Sequence, residues 1–128
     1  MENHVENSYI KMYIKDDILY GEYAKGLKIT LEIAKECVDL RLTLTKDKNY
    51  LTIVDVSQID STSKEARDYY ATEEAIAGLK ILAIITDSTV TKVIGNFYIN
   101  INKPPIPSKL FTSQEAALKW IKNFQESI

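Results

Sequence analysis

The chain has 128 residues, with 16 lysines and arginines against 18 acids and a formal net charge of −2. That length suits one domain with enough core to stand without staples, and 45% apolar with 27% charged residues are ordinary globular values. Four glycines and three prolines exclude collagen, low-complexity and disordered classes, one cysteine excludes a disulfide scaffold or thiolate zinc site, and the slight acidity argues against a nucleic-acid footprint.

In chain order, residues 1–7 are polar and are expected to fray. They carry neither the basic start nor the apolar stretch of a signal peptide, so a cytoplasmic protein with a reduced Cys37 is expected. Ile10, Met12 and Ile14 alternate with lysine and tyrosine, and Asp16-Asp17 suits a tight turn. Residues 9–15 and 18–23 therefore read as an antiparallel hairpin. Residues 27–45 carry two patterns. Ile29, Leu31 and Ile33 alternate, whereas Leu27, Leu31, Ala34, Cys37, Val38 and Arg41 follow helical spacing. With no Gly or Pro in the way, the stretch is assigned to one long helix.

Residues 50–56 are β-branched and apolar, as in a buried strand. Ser61-Thr62-Ser63 offers capping hydroxyls to a short helix over 64–70. Residues 72–77 add one or two turns, closed by Gly78. Residues 79–86 read as a central parallel strand. Val90, Val93, Ile94, Phe97, Tyr98 and Ile101 predict an amphipathic helix over 88–102, with Gly95 as a close-packing contact. Lys103-Pro104-Pro105-Ile106-Pro107 stops it, and residues 109–111 suit an edge strand. Thr112 and Glu115 form a capping box, with Phe111 placed to staple Ala116. A last helix follows through Ala117, Trp120, Ile121 and Phe124.

The order ββαβαβαβα implies an α/β fold. Its sheet is mixed and mainly parallel, with about four or five strands, an N-terminal antiparallel hairpin, and helices packed on it. Val54, Ile84, Ile94, Phe97, Trp120 and Ile121 are the expected core.

Little in the chain suggests catalysis. His4 is the only histidine and lies in the tail, where nothing would hold an imidazole for acid–base work. Cys37 sits among apolar helix neighbours and reads as an unreactive structural thiol. The glycines form no phosphate-cradling loop. The expectation is a protein that is not an enzyme and takes no cofactor. Asp55 and Asp87 each end a strand, so neighbouring strands would bring their carboxylates together, with Asp60 and Ser61 on the next loop. Capping is the favoured role, because no third acid stands at a fixed spacing, and no metal is expected. Tyr69, Tyr70, Phe97 and Tyr98 could line an apolar pocket, although aromatic residues at helical spacing are more often core.

The segment YLTIVDVSQIDSTSKEAR, residues 50–67, resembles the centre of the sulfate-transporter and anti-sigma-factor-antagonist (STAS) domain. There a hydrophobic strand ends in Asp, and an Asp-Ser-Ser or Asp-Ser-Thr opens the next helix. LKILAIITD and the C-terminal order of helix, short strand and capped helix fit the same plan. IGNFYININKPPIPSKLFTSQEAALKWI is similar to the ending of small bacterial STAS-like proteins without assigned function. Lys64 follows Ser63 where the STAS regulators carry glycine. The resemblance implies a STAS-like fold over residues 1–128. It also implies a phosphoacceptor at Ser61, Thr62 or Ser63, where a phosphate would meet a helix N-terminus.

Two functions are expected. One is a regulatory or protein-interaction module that docks an unknown protein partner at Asp55, Asp60, Ser61–Ser63 and Arg67, with Arg67 paired to Asp60 at rest. The alternative is a small apolar molecule or lipid held under the 88–102 helix, which needs a cavity of roughly several hundred Å³. Neither nucleic acid nor a membrane span is expected, and monomer and dimer both remain open.

Overall fold

The computed structural model describes residues 3–126. The chain opens with β1 (His4–Glu6), β2 (Ile10–Lys15) and β3 (Ile18–Tyr23), followed by the two-residue β4 (Lys28–Ile29) and α1 (Leu31–Thr45). Next come β5 (Tyr50–Asp55), β6 (Ser61–Thr62), α2 (Lys64–Tyr70) and β7 (Leu79–Ile85). The chain finishes with α3 (Thr89–Phe97), a π-helical turn (Tyr98–Asn102), β8 (Ser108–Phe111) and α4 (Gln114–Glu126).

The fold is α/β, with one six-stranded sheet in the order β1-β2-β3-β5-β7-β8. β1, β2 and β3 pair antiparallel, and β3, β5, β7 and β8 run parallel. The hairpin turn is built by Asp16 and Asp17 at φ 54° and 64°, a left-handed conformation that aspartate tolerates. β4 and β6 form a separate parallel pair that ties the loop after β3 to the loop after β5.

Several sequence expectations are corrected. Residues 4–6 do not fray, because β1 pairs in register with Lys11–Tyr13 and Val5 packs against the core. Residues 1 and 2 lie outside the described residues. β1 also lifts the sheet to six strands. The helix expected over 27–45 divides into β4 and α1, because the Thr30 hydroxyl accepts the Ile33 N–H at 3.3 Å and starts the helix there. Residues 72–77 form turns rather than helix. Gly78 follows at φ +91°, where a Cβ would meet the Thr45 hydroxyl at 2.7 Å. α3 stops at Phe97 and the chain continues as the π turn. Ser113, not Thr112, caps α4 by accepting the Ala116 N–H at 3.2 Å.

The two faces of the sheet are packed differently. On one, Ala117 and Ile121 of α4 sit fully buried on Ile18, Leu51, Ile53, Ile81, Ala83 and Ile85. On the other, α1 covers Ile10, Met12 and Leu19, while α2 and α3 close a neighbouring cluster around Ile29, Ala34 and Ile59. Ile84 and Ile121 are buried as expected, and Val54, Ile94 and Trp120 are partly buried. Phe97 is instead half exposed. The apolar stripe of α3 is wider than its buried side. Thr91, Ile94, Gly95 and Tyr98 are buried or half-buried, and Phe97 falls on the outer edge. The expected close approach at Gly95 is present, since a Cβ there would meet Leu110 at 2.6 Å.

Candidate functional site

A cavity of about 110 Å³ lies between the sheet and the three helices. Ile10, Met12, Leu19, Val54, Leu82 and Ile84 give it an apolar floor. Gly21, in the interior strand β3, also faces it. A Cβ at Gly21 would come no closer than 3.5 Å to Val54, so the position has room that no side chain fills.

The rim is polar. The Tyr23 hydroxyl donates to the Tyr70 hydroxyl at 2.9 Å, and the Tyr98 hydroxyl donates to the Tyr70 carbonyl at 2.6 Å. Arg41 projects from α1 and its Nη1 donates to the carbonyls of Ala75 and Ala77 at 2.6 and 2.9 Å. Those bonds hold the irregular segment after α2 where helix was expected. Burial pushes the Tyr23, Tyr70 and Tyr98 hydroxyls up, and the Cys37 thiol up to about 11. Burial also lowers Arg41, against the neighbouring tyrosines, yet a guanidinium stays cationic. Among the described residues no Asp or Glu lines the cavity.

At the adjoining corner the three hydroxyls separate. Ser63 caps α2 by accepting the Ala66 N–H at 3.1 Å, and Thr62 is half-buried and lines the cavity. Ser61 is exposed, and its hydroxyl makes no hydrogen bond among the described residues. Arg67 Nη1 donates to the Thr62 carbonyl at 2.7 Å, and its guanidinium lies 5.5 Å from the centre of the Phe97 ring. Arg67 also lines the cavity, and its Nε is buried without a partner. The expected pairing of Arg67 with Asp60 does not form. β6 pairs with β4, which leaves Asp60 beside Lys28 at 3.9 Å.

Beyond Phe97 the outer side of α3 is apolar and uncovered. Val90, Val93, Phe97 and Ile101 are 58%, 53%, 48% and 68% exposed. Of the aromatic residues expected at a pocket, Tyr70 and Tyr98 line the cavity, whereas Tyr69 and Phe97 lie outside it. Tyr69 stacks obliquely on Tyr70 and reaches toward Glu74. Sequence reading missed Arg41, Gly21 and Tyr23. A lone arginine on the apolar stripe of a helix, and a glycine inside a strand pattern, were the available signals.

Asp55 and Asp87 line one open cleft of about 420 Å³ at the ends of β5 and β7. Asp55 accepts the Ser57 N–H at 2.9 Å, which closes a local turn. Asp87 is exposed, and it is Ser88 that caps α3. Asp60 and Ser61 are not part of this cleft. Among the described residues no three His, Cys, Asp or Glu side chains are grouped to hold a metal ion, and no helix is long and apolar enough to cross a membrane.

Residues 12–125 match the family described as a domain of unknown function, DUF7793. No curated protein matches this chain. Among solved structures, it is similar to an uncharacterised protein of the DUF3478 family with a SpoIIAA-like fold, from Shewanella loihica PV-4. The two are 21% identical, with a TM-score of 0.62 over 91% of this chain and 98% of that one. The fold is therefore SpoIIAA-like, which is the STAS-like plan that the sequence resembles.

Proposed function

This chain belongs to the family described as a domain of unknown function, DUF7793, and from its fold and surface we propose that it is a non-enzymatic, STAS-like interaction module. It docks a partner protein on the outer side of α3 and the adjoining corner at Ser61–Arg67. The observation that carries this reading is the run Val90, Val93, Phe97 and Ile101, four large apolar side chains exposed on one helix side. Scattered apolar residues on a surface need no explanation, but a contiguous patch marks a place that another surface covers.

The corner supplies a means of control. Phe97 stacks on Arg67, so the apolar patch and the hydroxyl-bearing corner are continuous. Ser63 is committed to capping and Thr62 is half-buried, which leaves Ser61 as the accessible phosphoacceptor. Ser61 stands opposite Lys28 in the β4–β6 pair. A phosphate there gains a lysine contact and places negative charge at the rim of the patch.

The test is a photo-cross-linking amino acid placed at Val93 in the native cell, with a second placement at the exposed Lys122 of α4 as the control. One protein should cross-link from position 93 and not from 122. Ile101→Glu should abolish the adduct, and Ser61→Asp should reduce it about tenfold while the fold stays intact. Equal adducts from both positions, or none from 93, would remove the docking reading.

A further inference from the structure

We propose that the cavity beneath α3 is a binding site for a small organic monocarboxylate with a short, branched apolar body. This goes beyond the docking reading and shares only Arg67 with it. Arg41 and Arg67 both line the cavity, and among the described residues no acid does. Neither arginine has a carboxylate within 4.0 Å among the described residues. Both half-buried cations thus reach a largely apolar floor with backbone carbonyls as their hydrogen-bond acceptors, and Arg67 also stacks on Phe97. Enclosed charge of one sign is costly, and an anion that enters relieves it. Arg67 Nε is the donor left open, buried and unpartnered. A carboxylate suits a guanidinium, whose N–H groups match its two oxygens.

The floor sets the rest of the ligand. Gly21 sits inside a central strand, where glycine weakens the sheet, and a Cβ there would be tolerated at 3.5 Å from Val54. The missing side chain keeps the cavity open. Its roughly 110 Å³ compares with the engineered apolar cavities of about 150 Å³ that accept benzene. A body of about four carbons fits, and a lipid tail does not. Phosphate, strongly hydrated and without an apolar part, gains nothing from Met12, Leu19 and Ile84.

Calorimetry at constant ionic strength distinguishes these ligands, with isobutyrate, isobutyramide, octanoate and inorganic phosphate as probes. Isobutyrate should bind at least tenfold more tightly than each of the other three. Arg67→Gln should erase the preference for isobutyrate over its amide. Gly21→Ala, which keeps the strand and adds one methyl to the floor, should weaken isobutyrate at least fivefold with an unchanged circular dichroism spectrum. The ligand panel on the unaltered protein decides the matter even if Arg67→Gln does not fold. Absence of isobutyrate binding, equal binding of the amide, or tighter binding of octanoate or phosphate would each overturn the assignment.

Discussion

The two faces of the sheet show what a helix layer looks like when it only has to fold and when it has to do more. Under α4 the contact is apolar throughout, and Ala117 and Ile121 are 0% exposed. Under α1–α3 the same sheet meets two arginines, three tyrosine hydroxyls, an interior glycine and a cavity. Outside that layer, α3 and the π-helical turn leave four large apolar residues in water. Each of these features gives up stability that close apolar packing would have supplied. Their concentration on one side sets that face apart from the tightly packed one, and it is where the proposed docking surface and binding cavity lie.

The largest effect expected from this contrast is at Ile121. Ile121→Ala leaves a void against Ile53, Ile81 and Ile85 that close packing cannot refill. It should cost about 4 kcal/mol in urea unfolding. A loss below about 1 kcal/mol would mean that the α4 face is not the tightly packed one.

The next effect is alkaline and belongs to the opposite face. Cys37 is raised from its ordinary 9.0 to about 11 by burial, and Tyr23, Tyr70 and Tyr98 are raised by burial as well. A group whose pKa is higher in the folded state stabilises the fold fully below its unfolded value. That contribution is lost as pH climbs through the folded value. Stability should therefore fall between pH 9 and 11, by about 2 kcal/mol from Cys37, with the tyrosines adding to the loss above that window. In Cys37→Ala the decline should begin later, with the tyrosines alone. Unfolding curves taken along this pH range would show the delay, and an identical onset in the variant would remove Cys37 from the account.

The smallest effect has the opposite sign. Gly21→Ala should raise stability by about 0.5 kcal/mol, because the methyl fits at ordinary contact distance from Val54, Met12 and Ile10 and the unfolded chain loses freedom. A clear destabilisation would show that the space at Gly21 is not real.

Sequence alone recovered the strands and helices whose patterns are long and regular, including β2, β3, β5, β7 and α4. It failed where a few residues decide the outcome. β1 is held by backbone pairing with one apolar contact, which leaves almost no periodic signal. β4 and β6 exist only because each pairs with the other across 33 positions of chain. Residues 72–77 have helix-forming composition, yet Arg41 claims the carbonyls of Ala75 and Ala77 from a distant helix. The site was half legible for the same reason. Tyr70, Tyr98 and the corner at Ser61–Arg67 were marked by local spacing. Phe97 was placed in the core because an amphipathic stripe shows which residues are apolar but not where the neighbouring surface ends.

The most direct test of the division between the faces compares urea unfolding of Val93→Glu with that of Ile121→Ala. Val93 is 53% exposed on the outer side of α3, and glutamate suits a helix interior. The account predicts that Val93→Glu stays within about 0.5 kcal/mol of the unaltered protein, while Ile121→Ala loses several times more. A loss of about 2 kcal/mol or greater in Val93→Glu would contradict it, because the apolar side of α3 would then belong to the folding core rather than to a docking surface.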